Sequence, residues 1–218
     1  MIESVATQCA EVDTLIALTH GAPAAALLLA AMLLASLLGL FVTPSIIERN
    51  IFRPHWLVPH RQYATLITSA FIHADLAHLL FNAFTLWAFA FTLEQRIGMV
   101  RFVWLYAFGL LASDAGTWLK HRHNPSYGTL GASGAILAVL FASIVYFPRE
   151  SIFVLPIPVP IPAPLFAAGY LAYTYVASRK RRGRVNHDAH FTGALAGIAF
   201  VALTDAPAFE RLLSYVLG

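Results

Sequence analysis

The chain is read most easily from where its charges are missing. From His20 to Ile47 there is no Asp, Glu, Lys or Arg, and Pro23 to Thr43 is rich in Ala and Leu. That stretch matches the roughly 20 apolar residues needed to cross a bilayer as a helix. The pattern then repeats with charges as dividers. A second span is predicted from Leu76 to Leu93, ending at Glu94. A third runs from Phe102 to about Leu119 and contains Asp114, with Gly98 in the short link before it. A fourth lies within Pro125–Pro148 and a fifth within Ser151–Ser178. A sixth runs from Ala189 to Thr204, closed by Asp205. In the fifth stretch Pro156, Pro158, Pro160, Pro162 and Pro164 alternate with apolar residues. Proline in a helix interior removes a donor and clashes, so this part should be extended or polyproline-like, with the helix starting near Pro164.

These segments predict one domain at residues 23–218, an all-α polytopic membrane bundle of six helices, behind an N-terminal extension at 1–22. A long first loop spans about 44–70. The first span is not a good signal peptide: Glu3, Glu11 and Asp13 precede it and no Lys or Arg does. Composition supports the membrane class. Of 218 residues, 59% are hydrophobic and 11% charged, against about 45–50% and 25% in soluble domains. A soluble globule, a disordered chain and a nucleic-acid binder are thereby excluded. The single Cys9 excludes an internal disulfide or a cysteine-based zinc cage.

Polar residues inside apolar spans are the informative ones. His78 and Asn82 share one face of the second helix, with His73 and Asp75 at its entrance. Gly131-Ala132-Ser133-Gly134-Ala135 opens the fourth, placing Ser133 near a helix N-terminus, where free N–H groups suit an oxyanion. On the sixth, Gly193 and Gly197 form a face for tight contact, and His190 shares it. If that face meets the fourth helix, His190 meets Ser133, and a histidine is the base a serine hydroxyl needs. Asp188, two residues from His190, is a poor third member. Each group also has a plain packing role open to it: helix-to-helix hydrogen bonds for His78 and Asn82, an N-cap for Ser133, an interfacial position for His187 and His190.

Taken together, His73-Ala-Asp-Leu-Ala-His78-Leu-Leu-Phe-Asn82, Leu93-Glu94-Gln-Arg96-Ile-Gly98, Gly131-Ala-Ser133-Gly134 and Ala189-His190 with Gly193 and Gly197 resemble the rhomboid family of intramembrane serine proteases over about residues 60–205. The resemblance implies cleavage of transmembrane protein substrates in or near their membrane segments. It implies Ser133 as nucleophile, His190 as base, and His78, Asn82 and the Ser133 amide as oxyanion hole. Gly131 would permit the loop before the serine, and Gly134, Gly193 and Gly197 would support the helix contacts. Pairing a serine with a histidine needs no metal or cofactor. The partners implied are membrane-spanning substrates and the bilayer, with no nucleic acid. A non-catalytic relative that binds transmembrane clients is the alternative. The sequence departs from many members at Ala64 and Thr65, where a Trp-Arg pair is common, and at Leu137, where some have an aromatic ring under the catalytic histidine.

The basic residues are lopsided. Ten of fourteen lie in the links after the first, third and fifth helices, with Arg179, Lys180, Arg181, Arg182 and Arg184 supplying half of them. The positive-inside rule puts that side in the cytoplasm. The family's common arrangement in a bacterial inner membrane implies the reverse.

Overall fold

A computed structural model describes residues 19–154, 157–179 and 185–218. Most of the N-terminal extension, Pro156 and the basic residues from Lys180 to Arg184 lie outside the described residues. Helices occupy all six predicted places. They are α1 (Pro23–Phe41), α4 (Leu76–Ile97), α5 (Met99–His121), α6 (Ser133–Tyr146), α7 (Ala163–Arg179) and α8 (His187–Thr204). Short helices α2 (Ser45–Asn50) and α3 (Thr65–Thr68) order the first loop, and α9 (Ala206–Leu217) follows α8.

By length and hydropathy, α1 and α4 can each cross a membrane, and α8 with α9, bent by 115°, form a third candidate. The remaining helices fall outside that measure for identifiable reasons. Helix α5 carries Arg101, Asp114 and Lys120, and α6 has only 14 residues. Helix α6 is sheathed by protein, with every residue from Gly134 to Val145 buried, so it need not match the thickness of lipid. Outward-facing Leu27, Leu34, Phe81, Trp87, Trp104 and Leu165 are exposed, as expected for a surface that meets hydrocarbon and not water.

One predicted boundary moves. Glu94 does not end the second helix; it lies inside α4 and is 1% exposed. The charge is tolerated there because it caps another helix. Glu94 Oε1 accepts the Ala24 amide at 3.0 Å and Oε2 the Ala25 amide at 2.7 Å. Pro23 has no N–H, and Ala26 donates to Ala22, so the first turn of α1 is fully satisfied. Asp205 closes α8 as expected and also caps the start of α9, its side chain accepting the Ala208 amide.

The fold is not entirely helical. Strands β1 (Ser151–Val154) and β2 (Ile157–Pro162) form an antiparallel hairpin, pairing Ser151 with Pro162 and Ile152 with Ile161. Of the alternating prolines expected to be extended, Pro158, Pro160 and Pro162 are so, within β2. Strand pairing was not expected. It is possible because a period of two turns the nitrogens of Pro158, Pro160 and Pro162 to the same edge, leaving Ile161 free to pair with Ile152. The helix after them begins at Ala163, beside the predicted Pro164.

The first loop is also more structured than its composition suggests. Phe52 and Thr129 exchange both backbone hydrogen bonds at 3.0 Å. Trp56 Nε1 donates to the Pro125 carbonyl, and His55 Nδ1 bonds the Arg122 carbonyl. The loop is thus stitched to the α5–α6 connection that leads to Ser133.

Candidate active site

Ser133 is the first residue of α6. Ala132 occupies the cap and no side chain caps this helix, so the N-cap role that the sequence left open for Ser133 is not taken. The first helical bond runs from the Ile136 amide to Ala132 at 2.9 Å. The amides of Ser133, Gly134 and Ala135 therefore have no partner within the helix ladder.

Gly131 shapes the approach. Its φ is +104°, a region costly for any residue with a Cβ, and its amide donates to the Ser69 carbonyl at 2.9 Å. A Cβ at this position would stand 2.6 Å from His78 Cε1, 2.9 Å from His78 Nε2 and 3.4 Å from Asn82 Nδ2. The loop backbone two residues before Ser133 is thus pressed against the two side chains named as oxyanion donors.

Asn82 is held by a chain of bonds with a single consistent polarity. The Ser36 hydroxyl donates to the Phe71 carbonyl at 2.9 Å. Its oxygen can then accept from His73 Nδ1–H, also at 2.9 Å, leaving His73 Nε2 to accept from Asn82 Nδ2 at 2.8 Å. This order requires neutral His73, with one N–H of Asn82 still free to donate. His73 is fully buried in the turn before α4. Burial, followed by the nearby His78, pushes its pKa down to about 3 against the opposing pull of Asp75.

Helix α8 meets α6 through glycine, as the small-residue face predicts. A Cβ on Gly193 would lie 2.2 Å from the Gly134 carbonyl oxygen, and one on Gly197 2.2 Å from that of Ala138. A Cβ on Gly134 would meet the Ser113 hydroxyl on α5 at 2.2 Å first, and the Ala189 carbonyl oxygen on α8 at 3.3 Å. The neighbours of Ser133 and His190 in sequence are thus in backbone contact across the helix pair. His190 is half-buried, and His78 is near enough to interact with it electrostatically. Its Nδ1 lies 3.1 Å from the Tyr170 hydroxyl on α7. Ser133 and His190 share no hydrogen bond, and among the described residues neither Ser133 Oγ nor His190 Nε2 has a hydrogen-bond partner.

Asp188 is committed elsewhere. It binds Lys120 Nζ at 2.6 Å and His121 Nε2 at 3.1 Å, while Lys120 also reaches the Ser178 carbonyl. Asp114 is buried, with one carboxylate oxygen unpartnered. A cavity of about 830 Å³ lies between Arg96, Gly98, Arg101, Trp104, Phe108 and Phe200, and none of the four candidate side chains lines it. Tyr170 and the bracing role of His73 are not among the sequence expectations. The available signals were a tyrosine in an apolar helix and a histidine nine residues before Asn82.

A helical membrane protein with a serine opening a buried helix, and a glycine before it pressed on a histidine and an asparagine, is a narrow class. The sequence profile of the family described as the rhomboid domain matches residues 60–206, and the chain belongs to the rhomboid family. It is 29% identical over 158 residues to the mitochondrial rhomboid protein 1 of Saccharomyces cerevisiae, covering 68% of this chain and 45% of that protein. It is 34% identical over 97 residues to the Bacillus subtilis protein YdcA, provisionally named a rhomboid protease, covering 44% and 48%. It is 29% identical over 143 residues to the human mitochondrial presenilin-associated rhomboid-like protein, covering 62% and 36%. The aligned part spans less than half the length of each of these relatives.

Proposed function

We propose that the chain is an intramembrane serine endopeptidase, with α1, α4, α5, α6, α7 and α8 crossing the bilayer. It would cleave peptide bonds in or near transmembrane segments of other membrane proteins. The observation that carries this reading is the glycine contact of α6 with α8. It brings Gly134 near the Ala189 carbonyl, which supports the reading that Ser133 and His190, the residues beside them, work as a pair.

In the proposed reaction Ser133 Oγ attacks the scissile carbonyl carbon as His190 Nε2 takes the hydroxyl proton. The carbonyl oxygen becomes an oxyanion, met by the Ser133 amide, Asn82 Nδ2–H and the His78 ring N–H. His190 returns the proton to the leaving nitrogen and the C–N bond breaks. Water then attacks the acyl-enzyme with His190 again as base, releasing the second product and restoring Ser133. Both groups are open for this, since among the described residues neither Ser133 Oγ nor His190 Nε2 is engaged. The test uses purified chain in detergent with a transmembrane reporter. Native protein should cleave, and the Ser133→Ala and His190→Ala variants should not. Equal cleavage by the native chain and both variants would overturn the assignment.

A further inference from the structure

A serine–histidine pair leaves one question open: what orients the imidazole. Base chemistry at Nε2 requires the proton to sit on Nδ1, and something must hold that N–H. Aspartate fills this role in soluble triads. Here Asp188 is bound to Lys120 and His121. Asp114 makes no bond to His190, and its Oδ2 has no partner. The hydrogen-bond partner of the His190 ring among the described residues is Tyr170 Oη, at 3.1 Å.

We infer that Tyr170 is the positioning residue for His190: its phenol oxygen accepts Nδ1–H and keeps Nε2 directed to Ser133. This rests on the protease reading above. A phenol suits the task at membrane depth, because it accepts a hydrogen bond without burying a second charge. The same bond strengthens when His190 becomes an imidazolium, since the donor is then charged.

The ring itself is firmly held. It stacks on Phe166 with centroids 5.6 Å apart and lies 5.9 Å from Phe141. It also packs against the buried cluster that includes Leu137, the α6 position where some rhomboids carry an aromatic ring. An aromatic is supplied, but from α7.

That source has a consequence. Helix α7 is the most loosely embedded helix at the site. Only Ala163 and Thr174 are buried along it, and Leu165, Tyr173, Tyr175 and Val176 are exposed. The imidazole is therefore aligned only while α7 is seated against α6 and α8, so any displacement of α7 also releases the base.

The experiment compares native chain, Ser133→Ala and Tyr170→Phe in detergent, using reporter cleavage and the rate at which a fluorophosphonate labels Ser133. Phenylalanine keeps the ring and its stacking and removes only the hydroxyl. The expected result is a kcat about 10- to 100-fold lower, the size of a mispositioned catalytic group, with KM within about threefold of native. Labelling should slow in parallel, because it needs the base but no transmembrane substrate. Labelling is measured well below the unfolding midpoint of either protein, so reduced stability does not enter. Tyr170→Phe cleaving and labelling at the native rate, while Ser133→Ala is inactive, would overturn the inference alone. A raised KM with native labelling would do so too, since it would make Tyr170 a substrate contact. Cleavage persisting in Ser133→Ala would instead overturn the protease reading.

Discussion

The carboxylate of Glu94, buried within α4, accepts the backbone amide of Ala25 at 2.7 Å and thereby closes the first turn of α1. With the Ala24 amide on its other oxygen, it ties the first two long helices together near the link to α5. Substitution by Ala leaves one buried and one part-buried N–H group unpaired, at a cost of about 2–4 kcal/mol. Glu94→Ala should lower the thermal midpoint in detergent by roughly 5–10 °C. Glu94→Gln, which keeps one acceptor, should lose about half as much. A midpoint within about 1 °C of native in Glu94→Ala would refute the capping role.

The α6–α8 contact tolerates no added carbon. Gly193→Ala would put a methyl group 2.2 Å from the Gly134 carbonyl oxygen, and both atoms belong to rigid helices. Helix α8 must withdraw, taking His190 with it. Cleavage should fall by about 100-fold, which is the cost of a shift of order 1 Å at a catalytic group. Gly169→Ala is the matched control. Nothing lies within 4 Å of a Cβ there, and alanine is the better helix former by up to about 1 kcal/mol. That variant should be as active as native and slightly more stable.

His73 connects acidity to stability. Its folded pKa, about 3, lies below the ordinary 6.5, so the unfolded chain binds the proton more readily. The contribution of neutral His73 is complete above about pH 6.5 and is lost as pH falls toward 3. His73→Gln cannot bond both Ser36 and Asn82 in this way and should be less stable than native at pH 7.5. The gap in midpoint between the two proteins should narrow on moving to pH 4.5. A gap independent of pH would show that His73 is not held neutral by the fold.

Asp188 sits close to His190 in sequence but serves a tether. It joins Lys120 at the end of α5 to the start of α8, and the lysine is substantially exposed. Such an ion pair contributes up to about 1 kcal/mol. Asp188→Asn should therefore lower the midpoint by only a few degrees and leave kcat within about threefold of native. A loss of 100-fold in kcat would place Asp188 in the catalytic machinery.

Much of this was legible before folding. Spans separated by charges give helix positions, because an unpaired charge in lipid is costly whatever the fold. The dense glycines at 131, 134, 193 and 197 could be read as close contacts, because a glycine in an apolar helix has few other uses. The serine, the histidine and the His78–Asn82 pair stood out because so few polar residues share those segments. What a linear pattern could not convey was pairing. Glu94 read as the end of a helix because nothing local announced that the N-terminus of α1, some seventy residues earlier, would need its oxygens. The alternating prolines read as extended chain, but the partner strand that made them a hairpin depended on how the α6–α7 connection folds back. Tyr170 and His190 lie twenty residues apart on different helices, and their hydrogen bond exists only because α7 packs beside α8. Long apolar runs bounded by charges determined that this chain enters a membrane and which few polar groups could do chemistry there. The tertiary structure decided which of those groups touch, because distances across a bundle are set by packing and not by spacing along the chain.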